Sequence, residues 1–329
     1  MSQLVFVSGA VLVWLGFLYA TEAIPAVGGD YREGFIGQPV FVNPVLAASA
    51  IDKSLVRLVF DKIRALTEKI EPSEDGRIWK IRLKENLSWH DGAKLTSDDV
   101  IFTVQKIQDQ ESSSPLRPAW EGVAAQRLSE LELQLSLVSP YAFFPQMLEG
   151  LYILPKHIFG NIPAANWRLS DFSLRPVGSG PYKFAFFDKK SDGFISSYTL
   201  SAWPEYGGEA PLLENIEFRF FADAPAMIRA FNSGQIDGLA GIEPQILPLI
   251  ERPYEAAPFR LPNYYAVFLN QGKNIALKEK AVRTALHQAI ERETLISVAL
   301  GGRGRPVSSP LPEGLQYFTP TETATTSDR

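Results

Sequence analysis

Apolar and polar side chains alternate along several short segments of the chain, which is the pattern of strands with one buried face. In residues 78–85 the apolar side chains alternate with Lys and Arg, and in residues 131–137 leucine occupies every second position. Residues 216–220 alternate in the same way, and residues 178–200 predict a β-hairpin with its turn at 189–193. These segments together predict sheets rather than a purely helical protein.

Spacings of three and four residues between apolar positions predict the helices. Such a stripe runs through residues 54–69, 224–232 and 278–299, and a Ser-Gly pair ends the second of these. A short strand at 235–240 then follows, so residues 214–240 predict a strand–helix–strand unit. Such a unit is typical of mixed α/β sheets.

The segment from Trp89 to Ile107 combines a turn with a helix start. His90-Asp91-Gly92 predicts a tight turn, and Thr96 with Asp99 three positions later has the spacing of a capping box. Asp98 and Asp99 lie in the first helical turn, where the helix dipole favours negative charge. We therefore expect these two acids to cap a helix, with catalysis by them as the minor alternative.

The N-terminal 21 residues carry no charged side chain. As a helix they would extend about 32 Å, enough to cross a hydrocarbon core of about 30 Å. A buried core helix, a cleaved signal peptide and an uncleaved anchor within residues 1–23 are the alternatives. We favour the anchor, because no Lys or Arg precedes the apolar run and no clean cleavage site follows it. In either targeting case the rest of the chain is expected to be extracytoplasmic.

Composition removes several classes of function. The 329 residues include no Cys and only three His, with a net charge of −5. Thiol chemistry and Cys-based metal sites are excluded, no cofactor, metal or catalytic residue is expected, and nucleic acid is a poor partner for an acidic chain. The run Gly178-Ser179-Gly180 lacks the Lys-Ser/Thr ending of a phosphate-binding loop and precedes a strand.

Several of these segments, in this order, resemble one family: the oligopeptide/dipeptide/nickel class (family 5) of extracytoplasmic solute-binding proteins, which serve ABC importers. The resemblance extends over residues 36–312. It is carried by Trp89-His90-Asp91-Gly92, Leu95-Thr96-Ser97-Asp98-Asp99-Val100, Leu154-Pro155-Lys156-His157, Gly178-Ser179-Gly180-Pro181-Tyr182, Ser233-Gly234-Gln235-Ile236-Asp237 and Val282-Arg283-Thr284-Ala285-Leu286 with Ala289-Ile290.

The resemblance implies an α/β fold of the type II periplasmic-binding-protein kind, with two lobes and an inserted domain. Residues 24–50 and 172–270 would form the first lobe, 51–171 the inserted α+β domain, and 271–329 the start of a second lobe that is largely missing. A hairpin usual in the family is also expected to be missing between 54–69 and Trp79.

The function implied is capture of short peptides and their delivery to ABC permease subunits. The resemblance suggests the backbone of Ala48, Ser49 and Ala50, and the aromatic side chains of Trp120, Tyr264 and Tyr265, as ligand contacts. Core packing is the alternative for each aromatic residue. Two other functions stay open: a membrane-anchored sensor, interaction module or non-functional fragment on this scaffold, and a hydrolase using Asp98, Asp99 or Asp237.

Overall fold

A computed structural model describes residues 27–242, 244–256 and 265–307. They fall into two compact units, one ending at Ala240 and one beginning at Gly241. The strands are β1 (Asp30–Ile36), β2 (Thr67–Pro72), β3 (Ile78–Leu83), β4 (Ala124–Arg127), β5 (Glu132–Ser136), β6 (Tyr182–Lys189), β7 (Ile195–Ala202), β8 (Asn215–Phe221) and β9 (Gly238–Leu239). The helices are α1 (Ala50–Val59), α2 (Ile63–Leu66), α3 (Ser97–Gln108), α4 (Arg117–Trp120), α5 (Phe144–Glu149), α6 (Lys156–Phe159), α7 (Ala224–Asn232), α8 (Lys280–Gln288) and α9 (Arg292–Leu300). Short 3₁₀ helices lie at Gln110–Ser112, Ala164–Leu169, Asp171–Ser173, Pro244–Leu249 and Ile275–Lys278.

The first unit contains a five-stranded mixed sheet in the order β6-β7-β8-β1-β9. Strand β1 runs parallel to β8 and β9, whereas β6, β7 and β8 are antiparallel neighbours. Gly34 of β1 faces α7, since a Cβ there would lie 2.5 Å from Ile236 and 3.0 Å from Met227. Phe35 therefore points to the opposite face, where its ring lies 5.5 Å from that of Phe218. The predicted β8–α7–β9 unit is confirmed, and β1 lies between its two strands.

A second, antiparallel sheet has the order β2-β3-β5-β4. Its inner face buries the alternating side chains of β3 and β5, and α3 packs against β4 and β5. The outer face is polar: Arg82 of β3 forms ion pairs with Glu68 and Glu132. The predicted strands at 78–85 and 131–137 are thus confirmed.

The predicted helix over 54–69 is wrong at both ends. Helix α1 begins at Ala50 and stops at Val59, and the chain from Thr67 is a strand. Tertiary hydrogen bonds end the helix: Gly180 donates its N–H to Val59 O at 2.9 Å, and the Asp61 N–H donates to Ser179 Oγ at 3.2 Å. Strands β2 and β3 form an antiparallel pair. One strand, β2, therefore precedes the strand that contains Trp79 and pairs with it, and the further hairpin expected to be missing between 54–69 and Trp79 stays a prediction.

The second unit contains α8 and α9, where the sequence predicted one helix over 278–299. The helix breaks after Gln288, and α9 starts at Arg292. The apolar stripe runs only as far as Ile290, and Glu293 occupies the next position on that face. Leu286 and Ile290 are 43% and 44% exposed.

In the part of the chain that the structure describes, no helix combines the length and the apolar character needed to cross a membrane. The anchor or signal predicted for residues 1–23 lies outside the described residues.

Candidate functional site

The parallel strands β8, β1 and β9 bring their carboxyl ends, at Phe221, Ile36 and Leu239, to one edge of the sheet. Ligands of open α/β sheets bind outside this kind of edge. The chain that leaves β1 here runs through Gly37, whose φ of +100° suits glycine, to the start of α1. This segment contains three of the predicted ligand contacts.

Residues 43–47 are held by their own buried polar groups. The side chain of Asn43, fully buried, accepts the Val45 N–H at 2.9 Å. The main-chain carbonyl oxygen of Asn43 accepts the N–H groups of Leu46 and Ala47 at 3.1 and 2.8 Å. From a distant loop, Ser114 Oγ donates to Val45 O at 2.6 Å. The backbone of residues 43–47 is therefore held by hydrogen bonds within the segment and by one from Ser114.

Asp52 fixes the other end of the segment. Its carboxylate, 2% exposed, accepts the N–H groups of Val40 and Phe41 at 2.8 and 3.1 Å. Its own N–H donates to Ser49 Oγ at 3.0 Å, so Ser49 is the N-cap of α1. The start of α1 is thereby tied to the loop that leaves β1.

The three predicted backbone contacts lie on the tip of this fixed segment. Ala48 and Ala50 are exposed and Ser49 is partly exposed. Within the described residues, the N–H groups of Ala48, Ser49 and Ala50 have no hydrogen-bond partner. Helix starts leave such donors open because no preceding turn exists to accept them. The arrangement offers consecutive main-chain donors on a rigid support.

The three aromatic candidates have different surroundings, as far as the structure describes them. Trp120 is 2% exposed in the first unit, and its ring packs edge-on against Phe144 at 6.0 Å. Tyr265 is 86% exposed and belongs to the second unit. Tyr264 lies outside the described residues. The ligand contacts of all three remain predictions.

A groove of about 300 Å³, which no pattern in the sequence predicted, lies next to the helix that carries Trp120. Phe144, fully buried, and Tyr141, 49% exposed, line it together with Glu121. The only signal in the sequence was the crowding of aromatic residues and prolines around Tyr141.

Two motifs of the resemblance contact each other. The N–H of Gly178 donates to His90 Nδ1 at 3.1 Å, so Nε2 carries the proton and donates to Gly180 O at 2.9 Å. Burial lowers the pKa of His90 from 6.5 to about 4. A Cβ on Gly178 would overlap the carbonyl oxygen of Val59. These glycines allow close backbone packing, which accounts for their presence without a phosphate ligand.

Asp61 lies next to these glycines, because its N–H donates to Ser179 Oγ, and it is 8% exposed. Tyr206 donates its hydroxyl to Asp61 Oδ1 at 2.8 Å. Burial raises the pKa of the Asp61 carboxyl to about 6, although the hydrogen bonds from Tyr206 and Ser179 act in the opposite direction. No motif or spacing in the sequence distinguishes Asp61 from other acidic residues.

The acids considered for catalysis have structural partners. Asp99 completes the predicted capping box by accepting the Thr96 N–H at 2.9 Å, and it also accepts the Lys156 N–H at 2.9 Å. Asp98 forms an ion pair with Arg127 at 3.4 Å.

Asp237 binds the guanidinium of Arg32 through both carboxylate oxygens at 2.9 Å. Among the described residues, no group of three His, Asp or Glu side chains is arranged to hold a metal ion.

The sequence and the fold of this chain are similar to those of known proteins. A family model described as bacterial extracellular solute-binding proteins, family 5 Middle, matches residues 45–328. The chain is 26% identical over 295 residues to the oligopeptide-binding protein AppA of Bacillus subtilis (strain 168), a match that covers 85% of this chain and 53% of AppA.

Solved structures share the fold. The ABC transporter substrate-binding protein CtaP from Listeria monocytogenes matches with a TM-score of 0.77 and 29% identity, over 92% of this chain and 63% of CtaP. The AppA structure in complex with a nonapeptide matches with a TM-score of 0.69 and 24% identity, over 91% of this chain and 61% of AppA. The chain thus spans between half and two thirds of the length of these relatives. By the extent of the family match and the shared α/β fold of the type II periplasmic binding proteins, this chain belongs to the family 5 bacterial extracellular solute-binding proteins.

Proposed function

We propose that this chain is the substrate-binding component of an ABC importer, that it binds short peptides outside the cytoplasm, and that it delivers them to permease subunits without performing chemistry. The observation that carries the proposal is the row of open backbone N–H groups at Ala48, Ser49 and Ala50. The description of the family as extracellular supports the compartment. The peptide-binding name of AppA supports the ligand class.

An extended peptide presents carbonyl oxygens to a neighbouring backbone at regular intervals, whatever its side chains are. Pairing through the main chain therefore gives affinity with loose sequence preference. Each such bond contributes about 0.5–1.5 kcal/mol net, so three of them supply about 1.5–4.5 kcal/mol. The remaining affinity must come from burial of peptide side chains. Trp120, Tyr264 and Tyr265 stay our proposed contacts for them.

Replacing Ala50 by proline tests the site, because it removes one donor at a position where the fold tolerates it. Proline is favoured at the first position of a helix, and Ser49 already has the extended conformation that a following proline requires. We expect Ala50→Pro to unfold like the wild type but to bind peptides about 2- to 10-fold more weakly. Ala50→Ser, which keeps the N–H, is the matched control and should bind like the wild type.

Titration calorimetry with individual tri- to nonapeptides measures both variants. If the wild-type chain binds no peptide at millimolar concentration, the proposed function is contradicted. If the wild type and Ala50→Pro bind equally well, peptide binding stands, but the backbone at Ala50 does not contribute to it.

A further inference from the structure

A single side chain joins the loop after α3 to the backbone that offers the open N–H groups. Ser114 Oγ donates to Val45 O at 2.6 Å, between residues 69 positions apart in the chain. Ser114 is 7% exposed and Val45 is fully buried, so water does not replace this bond easily. No other donor to Val45 O is found in the described part of the chain.

The loop that carries Ser114 is built to aim its hydroxyl. Ser113 has φ +50° and ψ +41°, the left-handed region that a non-glycine residue seldom adopts. Ser112, fully buried, donates its Oγ to Asp109 O at 2.8 Å and accepts the Ser114 N–H at 3.3 Å. Ser114 Oγ in turn accepts the Leu116 N–H at 3.2 Å, which leaves its proton for Val45. The strained turn is therefore fixed from both sides.

We infer that Ser114 is a positioning residue for ligand binding, which holds the backbone of residues 45–50 in the conformation that pairs with an extended peptide. The inference rests on the proposed function and deepens it, because it makes the loop after α3 part of the binding apparatus. Without the hydroxyl, Val45 O loses its donor and the segment samples other conformations. A ligand that binds only one conformation loses affinity in proportion to the population of that conformation.

Ser114→Ala tests the inference, and Ser97→Ala is its matched control. Ser97 is also buried and also donates its Oγ to a distant carbonyl, that of Ser129, at 2.6 Å. It has no bond to residues 43–50. Both variants lose one buried hydroxyl bond of the same length to a distant carbonyl, so the loss of stability that this bond causes should affect them alike; Ser114→Ala also removes the acceptor of the Leu116 N–H.

Two readouts separate positioning from stability. The first is hydrogen exchange at the amides of Leu46 and Ala47, which bond to Asn43 O. We expect exchange at least about tenfold faster in Ser114→Ala and unchanged in Ser97→Ala, because the opening is local. The second is peptide affinity by calorimetry, where we expect a loss of about tenfold, or about 1.4 kcal/mol, in Ser114→Ala only.

The inference is overturned if the two variants show the same exchange at Leu46 and Ala47, or if exchange rises in Ser114→Ala while its peptide affinity stays that of the wild type. Absence of peptide binding by the wild-type chain would instead contradict the proposed function, and exchange would still show whether Ser114 holds the segment.

Discussion

Replacement of Asp61 by asparagine is expected to stabilise the protein above pH 7. The side chain of Asp61 is 8% exposed, and its carboxyl has hydrogen bonds with Tyr206 and Ser179. Asparagine has nearly the same shape and keeps an oxygen that accepts the bond from Tyr206. It carries no charge, so it avoids the cost of burying a carboxylate.

The size of the expected stabilisation follows from the shift in the pKa of Asp61. A rise in the pKa of Asp61 from 3.8 to about 6 in the folded state corresponds to about 3 kcal/mol. Because the folded state binds the proton more tightly than the unfolded state, Asp61 raises the free energy of unfolding as pH falls from 6 to 4. The cost is fully present above pH 7, falls to about 0.5 kcal/mol at pH 4 and is absent below about pH 3. We expect Asp61→Asn to gain up to about 3 kcal/mol at pH 8 and about 0.5 kcal/mol or less at pH 4.

Protonation of His90 changes the free energy of unfolding in the opposite direction, over an overlapping range of pH. Burial lowers the pKa of His90 from 6.5 to about 4, so the unfolded state takes up the proton first and stability falls between those two values. In the wild type the two groups partly cancel. In Asp61→Asn the His90 dependence is no longer offset by Asp61, and the variant should lose stability more steeply on acidification than the wild type does.

Urea denaturation followed by tryptophan fluorescence at pH 4, 5, 6, 7 and 8 measures the difference between the two proteins. Asp98→Asn is the control, because Asp98 is an exposed partner of Arg127 and such pairs contribute about 0–1 kcal/mol. An Asp61→Asn variant that is less stable than the wild type at pH 8, or a difference that does not change with pH, would refute the assigned cost of burial.

Further substitutions test three features by urea denaturation: the close contact between Gly178 and Val59, the N-cap of α3 and the buried side chain of Trp120. Gly178→Ala would place a Cβ against Val59 O and should cost about 1–3 kcal/mol or prevent folding; Gly207→Ala, with open space around it, should change stability by less than about 0.5 kcal/mol. Thr96→Ala removes the cap of α3 and should cost about 1 kcal/mol, and an unchanged midpoint would contradict the cap. Trp120→Phe should lower stability by about 1–3 kcal/mol, and a large loss of peptide affinity at unchanged stability would favour the predicted ligand contact over core packing.

Sequence patterns over a few residues predicted those helices and strands that depend on interactions between residues close together in the chain. The alternation in β3 and the Thr96–Asp99 capping box depend on residues within a few positions, and the structure has both. Helix α1 illustrates the limit: its stripe continues beyond Val59, but hydrogen bonds with Ser179 and Gly180, about 120 residues away, end it. Pairing of β2 with β3 likewise overrode the helical spacing.

The site was predictable only in part. The resemblance selected Ala48, Ser49 and Ala50, and the structure gives these residues open donors on a fixed support. The support itself depends on Ser114 and Asp52, whose partners were not visible in any spacing. No spacing in the sequence indicates that Asp61 is buried or that Tyr206, 145 positions away, donates a hydrogen bond to it. The division of the chain into lobes and an inserted domain remains a prediction.

The central claim is that this chain binds peptides, and thermal unfolding tests it most directly. The chain is heated with and without a mixed pool of short peptides at millimolar concentration. A ligand that binds only the folded state stabilises it by about 2.7 kcal/mol at a hundredfold excess over the dissociation constant. We predict a cooperative transition whose midpoint rises with peptide concentration. A cooperative transition with an unchanged midpoint at every concentration would contradict peptide binding by this chain.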